Sequence, residues 1–168
     1  MRSSSSDAAP ATVYLSLGSN QGDRQELLLR AIDETEKRIG HVTAQSAFIV
    51  TRPWGFDSDN DFLNACIAVE TMLTPMQLLR KTQTIERLLG RTEKTTQPGQ
   101  YHDRPIDIDI LFYADGRMVQ TDKLTIPHPR MAERMFVLQP LDEIAHSVRV
   151  PGSDRSVGEM RSALEARS

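Results

Sequence analysis

Hydrophobic positions divide the chain into alternating strand-like and helix-like segments. Some runs alternate with the period of a strand, and others repeat at helical spacing. In chain order the pattern predicts a strand at 13–17, a helix at 23–39, strands at 42–51 and 62–71, a helix at 74–90 and a strand at 106–112. This βαββαβ order predicts an α+β protein with a ferredoxin-like core, in which helices pack on a mainly antiparallel sheet.

Capping residues mark where the predicted helices begin and end. Asp23, Thr74 and Ser156 each stand where an N-cap is expected, with Glu or Gln three residues later. Gly40 and Gly90 follow the first two helices, at the position where a helix C-terminus favours glycine. The caps therefore support both core helices and add a last helix near the end of the chain.

The remaining segments are read from turn residues and from polar composition. Asp115-Gly116 predicts a hairpin turn, and Pro140 is expected to stop a short helix over 135–138. The polar stretches 52–61 and 91–105 have no hydrophobic period, and we expect long active-site loops there. Residues 1–11 are expected to form a disordered tail, and residues 12–168 a single domain.

Composition and charge narrow the classes of function. The 168 residues carry a formal net charge of −3, which gives no general attraction to nucleic acid or to anionic membranes. The single cysteine, Cys66, lies in an apolar run, as a core thiol does in a reducing compartment. No segment approaches the roughly 20 apolar residues of a membrane span, and no secretory signal is evident. We expect a cytoplasmic monomer that binds neither nucleic acid nor membrane.

Two aspartates on the last predicted strand form the first candidate site. Side chains alternate along a strand, so the isoleucines of 106–110 and Phe112 should point one way, and Asp107 and Asp109 the other. Their Cα atoms would lie roughly 6–7 Å apart, which suits Mg²⁺ held by carboxylates, water and phosphates. An isolated pair of this kind more often simply faces water, and that alternative stays open on the strand alone.

Basic residues beside this strand favour phosphate chemistry. Arg91 begins the long polar segment, and Arg104 ends it immediately before a proline, which keeps the backbone of Arg104 extended. The further cationic candidates are Lys123, His128, Arg130 and Arg134. A carboxylate pair, flanking arginines and a long loop together indicate a phosphoryl-transfer site, and the missing Gly-x-x-x-x-Gly-Lys motif excludes a P-loop kinase.

Six short segments occur together in a consistent order. They are Leu-Gly-Ser-Asn at 17–20, Phe-Leu-Asn-Ala at 62–65, Gly-Arg at 90–91, Arg-Pro-Ile-Asp-Ile-Asp-Ile-Leu at 104–111, Leu-Thr-Ile-Pro-His at 124–128 and Arg-Met-Phe-Val-Leu-Gln-Pro-Leu at 134–141. From about Val13 to about Pro151 the chain resembles the 6-hydroxymethyl-7,8-dihydropterin pyrophosphokinases. The resemblance implies transfer of pyrophosphate from ATP to the pterin hydroxymethyl group in folate biosynthesis, by attack on the β-phosphorus with release of AMP.

The resemblance also implies roles for individual residues. The catalytic set would be Arg91, Arg104, Asp107 and Asp109, with both aspartates holding two Mg²⁺ ions. The ATP-binding set would be Gln83, Glu86, Arg91, Arg104, Ile110, Lys123, Thr125, His128 and Arg134. The pterin-binding set would be Thr51, Trp54, Phe62, Asn64 and Phe136. Aromatic faces and an amide suit a flat heteroaromatic ring, although both phenylalanines, taken alone, read equally as core residues.

The chain also departs from the family pattern, and two other functions compete. Tyr101 stands where the family often has a tryptophan, and Glu93 where a second basic residue is common. An RNA-binding module of the same fold would expose aromatic residues on a basic sheet face, whereas this chain places aspartates there. A different magnesium-dependent nucleotidyl or phosphoryl transferase would be distinguished by its products.

Overall fold

The computed structural model of the protein describes residues 9–52, 61–90 and 105–167. Its strands are β1 Ala11–Ser19, β2 Gly40–Gln45, β3 Ile49–Thr51, β4 Phe62–Thr71, β5 Asp107–Tyr113, β6 Val119–Gln120 and β7 Thr125–Ile126. Its helices are α1 Arg24–Arg38, α2 Pro75–Leu88, α3 Met135–Ala145 and α4 Val157–Ala166, with a 3₁₀ turn at Met131–Glu133. No helix in these three ranges is both long enough and apolar enough to cross a membrane.

The main sheet has the strand order β2-β4-β1-β5, and β3 also pairs with β4. Every pairing is antiparallel. The helix α1 packs against β1, β2 and β4, the helix α2 against β5, and the helix α3 against β4. This arrangement confirms the predicted α+β class and the predicted βαββαβ order of the core.

Local chemistry explains where the helices begin. The Asp23 side chain accepts a hydrogen bond from the Glu26 amide, and Thr74 and Ser156 each form a complete capping box. Gly90 has φ +104°, as expected for a residue that ends a helix in the left-handed region. Gly40 follows α1 as predicted, but it does not end the helix in the left-handed conformation that favours glycine. Its φ is not positive, and it lies in β2, where a Cβ would collide with the Glu70 carbonyl group.

The predicted strand at 42–51 is two strands. The Ser46 amide still donates to the Cys66 carbonyl oxygen of β4 at 2.9 Å, but the next amide, that of Ala47, donates instead to Glu143 Oε1 of α3, over 2.9 Å, and the chain leaves β4 there. The Ser46 hydroxyl accepts from the Cys66 amide at 2.9 Å and holds the break against β4. A contact with a helix that follows about a hundred residues later therefore divides one strand-like run.

Two predictions about the second half of the chain were wrong. Residues 114–115 form the expected turn, but it is not a hairpin, because β6 pairs with β7 rather than with β5. At the outer edge of β5, the Leu111 carbonyl oxygen instead accepts a hydrogen bond from the His128 amide over 2.7 Å. The helix α3 also does not stop at Pro140. That residue is buried inside the helix, and burial of Leu138 and Leu141 beside it offsets the one lost backbone hydrogen bond.

A β-bulge reverses the side-chain alternation in β5. Leu15 of β1 faces Ile110, but the next residue toward the N-terminus of β1, Tyr14, faces Phe112, so Leu111 is an extra residue. Phe112 therefore shares a face with Asp107 and Asp109 rather than with the isoleucines, contrary to the simple alternation. Its ring centroid lies 4.9 Å from that of Tyr14, in the buried core.

Candidate active site

One face of the sheet brings the candidate residues into two rows. In the first row Asn64 of β4, Gly18 of β1 and Asp107 of β5 lie directly opposite one another. In the second row the corresponding residues are Cys66, Ser16 and Asp109. Facing residues of antiparallel strands project to the same side, so the pterin and metal candidates share one surface.

Both aspartates are partly exposed and suit a hard cation. They come two residues apart on an edge strand, with a glycine and a serine opposite them on β1. No cluster of three or more His, Cys, Asp or Glu residues that could hold a metal occurs within the described ranges. Mg²⁺ does not need one, since it is commonly bound by one or two carboxylates together with water and substrate phosphates.

Arg134 joins the aspartates to the candidate pterin side. Its Nη1 atom lies 3.9 Å from Asp109 Oδ2, and its Cζ atom lies 5.5 Å from the centre of the Phe136 ring. The arginine is 6% exposed and occupies the N-cap of α3. A buried guanidinium at this place adds positive charge beside the carboxylates, where the phosphates of a nucleotide would be stabilised.

A cleft of about 300 Å³ lies along the outer edge of β5. Four of the predicted ATP-binding residues line it together with Asp109, namely Ile110, Lys123, Thr125 and His128. Its remaining lining residues are Leu79, Ile108, Asp122, Leu124 and Pro129. The cleft thus brings residues from α2, from β5 and from the segment around β7 next to one of the two candidate metal ligands.

The segment that presents Lys123 is a side-chain-stabilised turn. The Thr121 hydroxyl accepts hydrogen bonds from the amides of Lys123 at 3.2 Å and Leu124 at 3.0 Å. Leu124 is buried as an anchor, whereas Lys123 and Thr125 are exposed toward the cleft. The turn therefore fixes the backbone and leaves the ammonium group in solvent.

His128 is held as a neutral imidazole. Burial, followed by the neighbouring Arg134, lowers its pKa to about 4. Its Nδ1 atom accepts a hydrogen bond from the Arg130 amide at 3.1 Å, so the proton of the neutral ring resides on Nε2. A neutral Nε2–H is a hydrogen-bond donor toward the cleft and does not change its charge near neutral pH.

Glu86 is tied to the strand that carries the aspartates. It is 7% exposed on α2, and its Oε2 atom accepts a hydrogen bond from the Ile108 amide at 2.8 Å. Gln83, one turn earlier, is exposed. Of the two α2 residues predicted to bind ATP, Glu86 therefore forms a hydrogen bond with the backbone of β5.

The pterin candidates surround the end of the first row. Asn64 is 3% exposed, and its Nδ2 donates to Thr51 Oγ1 at 2.5 Å. A Cβ on Gly18 would stand 2.7 Å from Asn64 Oδ1 and 3.6 Å from the Phe62 ring, so only glycine fits there without displacing the amide. Phe62 and Phe136 are half-buried. Gly18 was missed as a site residue. It lies within β1, and the available signal was its place in the Leu-Gly-Ser-Asn segment directly after the predicted strand at 13–17.

Several predicted residues lie outside the described ranges. These are Trp54, Arg91, Arg104 and the two departures Glu93 and Tyr101. The cleft residue Leu79 was also missed, because its place on the apolar side of α2 resembled that of a core residue.

Comparison with known proteins places this chain in a family. A sequence profile of the 7,8-dihydro-6-hydroxymethylpterin-pyrophosphokinases matches residues 14–146. The chain belongs to this family. Its function is pyrophosphoryl transfer to hydroxymethyldihydropterin in folate biosynthesis.

Relatives in the pyrophosphokinase family align with this chain over most of their length. A 2-amino-4-hydroxy-6-hydroxymethyldihydropteridine pyrophosphokinase from Porphyromonas gingivalis is 50% identical over 135 residues, which cover 80% of this chain and 91% of the relative. The enzyme of the same name from Bacillus subtilis is 40% identical, covering 80% of this chain and 78% of the relative.

Solved structures show the same fold. Wild-type Plasmodium falciparum HPPK-DHPS matches with a TM-score of 0.74 at 15% identity, covering 94% of this chain. This chain spans 45% of that longer protein.

Proposed function

We propose that the protein transfers pyrophosphate from ATP to the hydroxymethyl group of 6-hydroxymethyl-7,8-dihydropterin, with release of AMP, and that it depends on magnesium. The observation that carries this proposal is the single surface shared by Asn64, Gly18 and Asp107, beside the cleft at β5. That surface offers an amide for a pterin edge at one end and carboxylates for a metal at the other.

The nucleotide would occupy the cleft and the pterin the surface above Gly18. Lys123, Thr125 and the Nε2–H of His128 supply polar contacts from one wall of the cleft, and Ile110 supplies an apolar one. Arg134 offers its guanidinium to phosphate oxygens from the inner side. The proposed ATP-binding set also includes Gln83 and Glu86 of α2. Arg91 and Arg104 belong to the same set and lie outside the described residues.

The pterin would be read by Asn64 and stacked between aromatic rings. Phe62 and Phe136 provide the ring faces, Thr51 orients the Asn64 amide, and Trp54 belongs to the same proposed set. The Asn64 carboxamide then presents its oxygen to a donor on the pterin edge. A site that pairs its buried amide with the substrate rejects analogues that lack the matching group.

Asp107 and Asp109 would hold two Mg²⁺ ions, which align the triphosphate and offset its charge. The residues of the chain then act by positioning. Binding both substrates to one rigid sheet face converts the reaction into an effectively unimolecular step, and Arg91, Arg104 and Arg134 would stabilise the charge that develops on the phosphates. No strong general base is required for this chemistry.

Product identification tests the proposal directly. The protein is incubated with ATP, magnesium and 6-hydroxymethyl-7,8-dihydropterin, and the nucleotides are separated by chromatography. We expect AMP and a pterin diphosphate in equal amounts, with no AMP when pterin or magnesium is omitted. Formation of ADP or of free pyrophosphate would instead indicate a different transferase. We further propose that the enzyme acts as a cytoplasmic monomer, which size-exclusion chromatography with light scattering would check.

A further inference from the structure

One long-range hydrogen bond joins the start of α1 to the start of β4. The Arg24 Nη1 atom donates to the backbone carbonyl oxygen of Asp61 over 2.7 Å. Arg24 is the first residue of α1, and its side chain is half-buried. The two residues are 37 positions apart in sequence, so this contact belongs to the fold and not to a local turn.

The bond occurs where the strand ladder stops. The pairing between β1 and β4 ends at Ser19 opposite Leu63, because the chain then turns toward α1. Asp61 therefore has no β1 residue opposite it in the ladder. The guanidinium of Arg24 reaches its carbonyl oxygen there and extends the attachment of β4 past the end of β1.

Phe62 lies between these two attachments. Leu63 is fixed by its pairing with Ser19, and Asp61 is fixed by Arg24. On its other side Phe62 pairs with Thr51 of the three-residue strand β3. The Phe62 ring lies within contact distance of a Cβ placed on Gly18, and the backbone on the N-terminal side of Phe62 is held by the Arg24 side chain of α1.

We propose that Arg24 is a positioning residue for the pterin, acting through Asp61 and Phe62 rather than by touching either substrate. This inference rests on the proposed pterin position. A hydrogen bond from a charged donor is among the stronger ones, and its loss frees the backbone just before an aromatic contact. Recognition of the pterin should therefore weaken, while the nucleotide cleft along β5, which β1 separates from β4 in the sheet, is unaffected.

Steady-state kinetics of matched variants test the inference. Arg24→Gln should raise the KM for 6-hydroxymethyl-7,8-dihydropterin by about tenfold, which corresponds to the loss of one charge-assisted hydrogen bond. The KM for ATP should remain within about twofold and kcat should fall less than kcat/KM for the pterin. Arg24→Lys keeps a charged donor and should recover part of the loss. Arg30→Gln, an exposed arginine on the same helix, should behave as wild type.

Each of the other outcomes contradicts a specific part of the inference. An unchanged pterin KM in Arg24→Gln, or an equal rise in the KM of both substrates, would show that Arg24 does not position the pterin. If Arg24→Gln does not fold, Arg24→Lys decides by the same comparison of the two KM values. Phe62→Ala serves as the test of the pterin position. If Phe62→Ala leaves the pterin KM unchanged, the proposed pterin position is wrong. If Phe62→Ala raises the pterin KM while both Arg24 variants behave as wild type, only the inference about Arg24 is wrong.

Discussion

The Glu86 carboxylate accepts a hydrogen bond from the amide of Ile108, the residue between the two site aspartates. The amide belongs to the outer edge of the sheet, where no further strand of the described residues supplies an acceptor. A helix side chain therefore supports the backbone that spaces Asp107 from Asp109. The stability of α2 against β5 and the geometry of the metal candidates are thereby linked.

Glu86→Ala should destabilise the protein and reduce its activity together. It leaves the buried Ile108 amide without its acceptor, which costs about 1–3 kcal/mol of unfolding free energy. Glu86→Gln retains an oxygen acceptor and should lose less. Urea denaturation and turnover measure both effects, with Lys81→Ala, exposed on the same helix, as control. Unchanged stability in Glu86→Ala would contradict the supporting role.

Loss of either site aspartate should reduce activity, and loss of Asp109 should also reduce stability. Asp107→Asn and Asp109→Asn should each lower kcat/KM by about a hundredfold or more, because each removes an anionic ligand for magnesium. Asp109→Asn also removes a carboxylate 3.9 Å from the buried Arg134. We therefore expect a lower melting temperature for Asp109→Asn than for the wild type, measured without magnesium. An unchanged melting temperature would show that the contact with Arg134 contributes nothing.

His128 should make the folded state more stable as the pH rises. Its folded-state pKa of about 4 lies below the unfolded value of about 6.5, so the unfolded chain binds more protons between those values. The stabilisation is fully present above pH 6.5 and is lost as the pH falls toward 4, by an amount on the order of 3 kcal/mol.

Chemical denaturation at a series of pH values measures this dependence. His128→Gln should show a flatter profile between pH 4 and 6.5 than the wild type. A ¹⁵N NMR spectrum should show the Nε2–H tautomer of His128 at pH 7. Protonation of the ring near pH 6.5 would contradict the neutral assignment.

Tyr113→Phe should leave stability unchanged or raise it by about 1 kcal/mol. The tyrosine is fully buried, and its hydroxyl finds no hydrogen-bond partner in the described parts of the chain, so its removal relieves a desolvation cost. The Arg117 guanidinium, 4.4 Å from the ring centre, can still stack on phenylalanine. Thermal unfolding would check the change, and a loss above about 1 kcal/mol would reveal a missed partner of the hydroxyl.

The parts of the fold that were predictable follow from local chemistry. The caps at Asp23, Thr74 and Ser156 act within a few residues of themselves, and the apolar periods set the strand and helix order. The parts that failed depend on distant contacts. Glu143 breaks one predicted strand, and packing carries α3 through Pro140.

The candidate site could be predicted from the sequence only in part. The shared face of the two aspartates followed from strand alternation, whereas the roles proposed for Lys123, Thr125 and His128 in binding ATP came only through the family resemblance. The bulge at Leu111 moved Phe112 to the other face, and no sequence pattern of β5 signals an extra residue. The bond between Arg24 and Asp61 joins residues that no local rule connects.

The row formed by Asn64, Gly18 and Asp107 has an evolutionary consequence. Neighbouring strands lie about 4.8 Å apart, so the Cα atoms of Asn64 and Asp107 are held roughly 10 Å apart by the width of two strand spacings. That separation is set by backbone hydrogen bonds across the sheet and not by the number of residues between the strands. Insertions or deletions in the connecting segments can therefore accumulate without moving the amide relative to the carboxylate.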